Sequence, residues 1–336
     1  MSGSSILIFI LKIFGTLLIA ALGIIIGLFY KGVDRKLAAM MQSRVGPPVR
    51  QPFLDFFKLM IKENIVPENA VPWIFNGAPV LALVSTITIL LYLPFGPIPA
   101  LFGNSGDLIL IVYLLAIPAI ALVTGGFSSG STYASIGAQR EMVLLMSYEL
   151  PLVTSIIVLG WRLNIAFPGL KVFSLAALSA NPIWGLVGPL GFLGVLLLLF
   201  TLVLVTPAEL SIVPFDIPEA ETELAGGVLV EYSGRNLALF ELANAVKMLV
   251  MGSLTIALFF PYNIAHLLSL SGFLAYIIDL LFFFVKLFIV IFFEATFIRV
   301  AVARLKINQA SAAYLFFLST IGLTGLLLIA IDRLMI

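Results

Sequence analysis

Apolar runs of about 20 residues, the length that crosses a bilayer as a helix, recur near residues 5–30, 72–95, 107–125, 132–161, 184–206, 237–261, 273–299 and 309–333. Eight such runs, apolar on every side, predict an all-α, polytopic integral membrane protein. One short stretch has a different period. Phe53, Phe56, Phe57, Met60 and Ile61 repeat at helical spacing while Asp55, Lys58 and Lys62 fall on another face, which predicts an amphipathic helix lying at the membrane surface. The first run, Ile6 to Tyr30, exceeds the roughly 7–15-residue core of a signal peptide and reads as a span.

The polar positions then divide a single membrane domain, residues 1–336, into spans and two large loops, a basic one at 31–71 and an acidic one at 207–236. Lys31, Arg35, Lys36, Arg44, Arg50, Lys58 and Lys62 lie between the first two runs, and Arg299, Arg304 and Lys306 between the last two. The opposite side has Arg162, Lys171 and Arg333. The positive-inside bias therefore predicts cytoplasmic loops and both termini outside. Gly46, Pro47, Pro48 and Pro52 predict a sharp extended bend that presents Arg35, Lys36, Gln42, Arg44 and Arg50 to whatever sits above the membrane.

The acidic loop and its flanks place Glu209, Asp216, Glu219, Glu221, Glu223, Glu231 and Glu241 in a chain with only 10% charged residues. A carboxylate at the bilayer centre costs about 2.5–3.5 kcal/mol on insertion scales, so such groups face protein or a watery cavity and mark ion or proton paths. Pro207, Pro214 and Pro218 are expected to stop any helix through this segment. A solvated loop is an equal alternative for a generic segment, but the alternation of Glu219, Glu221 and Glu223 ahead of Gly226 and Gly227 looks shaped. Other charges fall inside the runs. Glu141 and Glu149 come round to within about 80° of each other and could share a buried polar face, with pairing to Arg140 or a neighbouring lysine as the alternative. Glu241 and Lys247, six residues apart, are expected to point to different partners. Asp279 and Lys286 lie nearly on one face and form either a structural ion pair, the favoured reading, or a titrating relay; Glu294 follows in the same run. Asp332 and Arg333 are explained by a solvated terminus.

Composition narrows the function classes. The chain is 62% hydrophobic with a net charge of +1, which offers no nucleic-acid signal. It has no cysteine, so disulfides and cysteine-ligated iron–sulfur clusters are excluded and any redox centre belongs to a partner. Its one histidine, His266, reads as an interfacial residue and no metal site is expected. Phosphate loops, nucleophile triads, internal repeats and symmetric broken helices are absent, so the chain is not expected to be an enzyme by itself.

PFDIPEAETELAGG at 214–227, followed by EYSG at 231–234, closely resembles the signature of the NuoH-like family of complex I, the membrane component at the junction of the two arms, shared with membrane-bound nickel–iron hydrogenase complexes. RKLAAMMQSRVGPP at 35–48 is similar to that family's RxxxRxGP pattern, and the acids around SYE at 147–149 resemble those of its proton-path helix. The short GPPVRQP segment at 46–52 and the Arg-Glu-Met triplet at 140–142 look like the hydrogenase branch and its ferredoxin-linked sulfur-reducing relatives rather than quinone-reducing members. The resemblance implies a junction subunit in a hetero-oligomeric membrane complex. Peripheral subunits would hold iron–sulfur clusters and, in the hydrogenase branch, a nickel–iron centre; antiporter-like membrane subunits would move ions, protons or sodium. It further implies a charge-coupling path through Arg140, Glu141, Glu149, Glu209, Asp216, Glu219, Glu221, Glu223, Glu231, Glu241, Lys247, Asp279, Lys286 and Glu294, and docking by Arg35, Lys36, Gln42, Arg44, Gly46, Pro47 and Arg50. The alternatives are a quinone-binding complex I subunit, a stand-alone secondary ion transporter, and a scaffold with no part in ion movement.

Overall fold

A computed structural model describes residues 3–103, 108–167, 173–265, 267, 268 and 271–335, with the side chains at 3–9, 221 and 222 outside the description. Eight long helices carry the fold among these residues. They are α1 (Gly3–Met41), α3 (Pro72–Leu90), α4 (Leu108–Ser128), α5 (Thr132–Ala166), α7 (Pro189–Glu209), α9 (Gly234–Phe259), α10 (Phe273–Ala301) and α11 (Ile307–Met335). Between them lie the surface helix α2 (Gln51–Ile61) and the short helices α6 (Leu175–Ala180) and α8 (Glu221–Leu224). No strand occurs among the described residues. The amphipathic helix forms where the spacing predicted it, with Leu54, Phe57, Met60 and Ile61 exposed on its outer face.

Helix α9 is the centre of the bundle. Its most apolar stretch is 94% buried, against 22% for α1 and α10, because α1, α2, α3 and α10 pack around it. Small residues permit these close crossings. A Cβ on Gly27 of α1 would lie 2.7 Å from the Ala245 carbonyl oxygen of α9, and one on Gly194 of α7 would lie 2.7 Å from the Gly325 carbonyl oxygen of α11.

Two helix ends differ from the sequence expectation. Helix α1 runs past residue 30 to Met41, so Lys31, Arg35 and Lys36 sit on its last turns and the connecting loop begins at Gln42. Nothing in KGVDRKLAAMM breaks a helix until Ser43, whose φ of 55° turns the chain away. Pro207 does not stop α7 either. The helix carries it and ends at Glu209, since one missing N–H is tolerated where neighbouring helices hold the backbone.

Helices alternate in direction, so α1, α4, α7 and α10 end at the face that carries α2, and α3, α5, α9 and α11 start there. That face is called the basic end below. Ala225, Gly226 and Gly227, all at positive φ, turn the acidic loop back on itself. Gly227 is required there because a Cβ would collide with the Pro218 carbonyl.

Candidate functional site

Four elements meet under the basic end: the last residue of α7, the third turn of α5, the middle of α9, and the loop 210–220. Glu209 and Lys247, 2% and 5% exposed, pair at 2.8 Å. Glu141 of α5 is buried beside them, and all three line a cavity of about 50 Å³ together with Glu219, Glu241 and Asn244. Asn244 donates to the Leu210 carbonyl at 3.1 Å, which fixes the start of the loop against α9. Tyr148 and Tyr314 are buried and meet edge-on with ring centres 6.2 Å apart, and the Tyr314 hydroxyl donates to the Leu204 carbonyl at 3.0 Å.

A larger cavity of about 360 Å³ lies towards the surface. Glu219, Glu241, Asn244 and Ser211 line both. The outer cavity is ringed by ion pairs: Lys31 with Glu241, Arg304 with both oxygens of Asp216, and Arg299 with Asp34 at 2.9 Å. Thr296 donates to Asp34 at 2.7 Å. Glu219 stands at the junction of the two cavities, and among the described residues no ion pair or hydrogen bond engages its carboxyl group. Burial first, then the charges of Glu241 and Glu141, push that carboxyl up to about 8 against the pull of Lys31.

The remaining path residues divide. Arg140 reaches out of α5 to Glu223 at 2.6 Å near the surface. Glu141 and Glu149 do not share a buried face; the turn of the helix leaves Glu149 half-buried beside exposed Met146 and Leu150. As expected, Glu241 and Lys247 have different partners. Glu294 is buried on a π-helical turn, Phe292–Phe297, and accepts from the Thr255 hydroxyl at 2.6 Å, outside both cavities. Asp279 and Lys286 do not form the ion pair their spacing suggested. Asp279 accepts from the backbone N–H groups of Ile264 and Ala265 at 3.0 and 2.8 Å, and Lys286 donates to the carbonyls of Phe260 and Tyr262 at 2.9 and 2.7 Å. Loop backbone outcompetes a side chain two turns away. Asp332 is likewise no solvated terminal residue; it is 2% exposed and accepts from the Gly188 N–H at 2.8 Å. Glu231 is half-buried and lines neither cavity. The Glu221 side chain, His266 and Lys171 lie outside the described residues.

On the surface, Lys36, Gln42, Arg44 and Arg50 are exposed as expected. Arg35 is instead half-buried and paired with Asp55 at 2.9 Å, and Gln51 steadies the same carboxylate at 2.8 Å. Arg35, Arg44 and Arg299 border a surface cavity of about 320 Å³ over Gly46 and Pro47. Sequence reasoning missed Asp34 and Asn244 as members of the site. Asp34 left one signal, a lone acid inside a basic run. No group of three or more His, Cys, Asp or Glu among the described residues could hold a metal ion.

The family model described as NADH dehydrogenase matches residues 13–330. The NuoH component of the NADH-quinone oxidoreductase of Brevibacillus brevis is 32% identical over 305 residues, 89% of this chain and 86% of the relative. Hydrogenase-4 component C of Escherichia coli is 32% identical over 248 residues, 72% of this chain and 73% of the relative. Among solved structures, a chain of the membrane-bound sulfane sulfur reductase, an archaeal respiratory membrane complex, superposes with a TM-score of 0.80 at 28% identity, covering 94% of this chain and 98% of that one.

Proposed function

The chain belongs to the NADH dehydrogenase family, as a NuoH-like component of complex I-like membrane complexes, and on that premise we propose that it is the junction subunit of a ferredoxin-oxidising complex of hydrogenase or sulfur-reducing type. Identity is silent on the branch, since both named relatives stand at 32%. The short bend from Gly46 to Pro52 is what favours this branch over quinone reduction. Lys36, Gln42, Arg44 and Arg50 on the exposed basic end, assigned to the cytoplasm by the positive-inside bias, dock the peripheral electron-transfer module. Iron–sulfur clusters and the terminal reduction reside in that module.

One observation carries the coupling reading: Glu219 and Glu241 line both the outer cavity and the inner one that holds Glu141, Glu209 and Lys247. A change of charge or position at the docking surface alters the Lys31–Glu241, Arg304–Asp216 and Arg299–Asp34 pairs. Glu219, uncharged below about pH 8 and without an ion pair among the described residues, answers by taking or losing a proton. Its charge is felt by Glu141, and the inner Glu209–Lys247 pair can then rearrange. The chain's own residues thus turn a surface event into a change of charge inside the bundle, from which antiporter-like subunits move protons or sodium.

The test is isolation of the assembly from its native membrane, reconstitution in liposomes, and parallel measurement of ferredoxin-driven turnover and ion uptake. Glu141→Gln is expected to preserve most turnover and to lower ions moved per electron by about tenfold or more. Unchanged uptake would make the cavity structural. Loss of the assembled complex would favour a scaffold, quinone reduction would return the chain to the quinone-binding reading, and ion transport by the chain alone would favour a secondary transporter.

A further inference from the structure

A third cavity, of about 260 Å³, opens at the basic end between α2 and the flanks of α1 and α9, and the coupling path does not require it. Its lining is mixed: Phe56, Leu59, Leu237 and Leu242 are apolar, Lys31, Arg35, Lys58 and Lys62 are cations, and Asp55 and Glu241 are the acids among them. Lys31 and Arg35 are already matched by Glu241 and Asp55. Lys58 and Lys62 are not. Four residues apart, Lys58 in the last turn of α2 and Lys62 just beyond its end, both are exposed, and among the described residues no hydrogen bond or ion pair engages either ammonium group.

The depth of this cavity in the membrane follows from α2 itself. Leu54, Phe57, Met60 and Ile61 project apolar surface away from the bundle, so the helix lies at the boundary between headgroups and acyl chains. At that level the wanted ligand has a negative head and an apolar body. A neutral ring compound would leave the two lysines unmatched, and an acidic protein segment would leave the four apolar side chains facing charge.

We propose that an anionic phospholipid seats here, its phosphate between Lys58 and Lys62 and its first acyl methylenes against Phe56, Leu59, Leu237 and Leu242. This goes beyond the coupling reading and does not depend on it. The two readings meet at Lys31 and Glu241, which line both this cavity and the outer one. Because Lys31 is both a cation of this cavity and the partner of Glu241, a lipid headgroup charge there bears on the Lys31–Glu241 pair.

The intact assembly in native-like membranes is labelled with a phosphatidylglycerol bearing a photoactivatable group at the top of one acyl chain, and the adducts are mapped by peptide mass spectrometry. Adducts are expected on α2 and on the first turns of α9. Unlabelled phosphatidylglycerol should suppress them about tenfold, and equal phosphatidylcholine should not. Lys58→Gln with Lys62→Gln, both exposed and safe for folding, should lower labelling by a similar factor. Leu237→Trp, which fills the apolar side and keeps both lysines, should lower it as well. Equal competition by phosphatidylcholine would reduce the site to ordinary boundary lipid, and displacement by a short-chain quinone would assign it to a neutral ring. Either result overturns the proposal, as does unchanged labelling in either variant.

Discussion

Asp332 and Glu209 are both 2% exposed, yet the fold treats them in opposite ways. Asp332, at the end far from the basic loops, accepts a fixed backbone N–H at the start of α7. Its neighbours at that end are handled alike: Asp279 holds two loop N–H groups, Lys286 holds two carbonyls, and Arg162 donates to the Leu186 carbonyl. Glu209 instead meets Lys247 across a cavity that Glu141, Glu219 and Glu241 also line. A charge answered by backbone dipoles has one arrangement, because those dipoles neither titrate nor move. A charge answered by other titratable groups has several, close in energy. Burial alone therefore does not separate the two kinds of acid; on the proposed coupling reading, the nature of the partner does.

The comparison is sharpened most by breaking one partner at each end. Lys247→Met leaves Glu209 buried and unpaired, and a loss of about 3–5 kcal/mol is expected for breaking a buried pair, read as a lower unfolding midpoint in detergent. Adding Glu209→Leu should restore most of it, since a buried pair replaced by packed apolar groups is often neutral. Asp332→Ala should cost less, about 1.5–3 kcal/mol for a hydrogen bond to a charged group, with ions moved per electron unchanged. A coupling loss in Asp332→Ala would erase the distinction between the two ends.

Much of this architecture was legible in the apolar runs and the period of α2, because spans and surface helices are set by local pattern. The site was legible only in part. Glu219 and Glu241 announced themselves as acids in an apolar chain, but Asp34 was hidden inside a basic run, and its partners Thr296 and Arg299 lie more than 260 residues away. Asp279 and Lys286 show the converse failure. Helical spacing brought them to one face, but the loop at 260–265 folds over that face and takes both. Spacing reports which residues can meet along a helix, and tertiary backbone decides which do.

A smaller effect on stability, with a clear pH signature, is expected at Glu219. Its folded pKa of about 8 lies above the ordinary carboxyl value, so the fold favours the protonated form. The stability linked to it is complete below the unfolded pKa, near 4.3, and falls as pH rises towards 8. Infrared titration of the assembly should show a protonated carboxyl band that disappears around pH 8. Glu219→Gln should remove that band and flatten the pH dependence of ion uptake over the same range. A band that persists unchanged in the variant would mean that another acid holds the proton at the junction.

The smallest effect is expected where the comparison predicts none. Glu149 lies in an apolar helix eight residues from Glu141, and by sequence the two are equal candidates. In the fold it is half-buried on an outward face with Met146 and Leu150 and borders neither the inner nor the outer cavity. It belongs to neither class: among the described residues no ion pair or hydrogen bond engages its carboxyl group. Glu149→Gln should therefore change the stability of the chain by less than about 0.5 kcal/mol, the range of substitutions away from special contacts, and leave the Glu219 titration in place. If ion uptake by the assembly nevertheless falls while the chain's stability holds, the partner of Glu149 is another subunit on that apolar face, and the path leaves the bundle through α5. If the titration of Glu219 moves instead, Glu149 communicates with the cavity through the helix, and the nature of the immediate partner is not what separates coupling acids from structural ones.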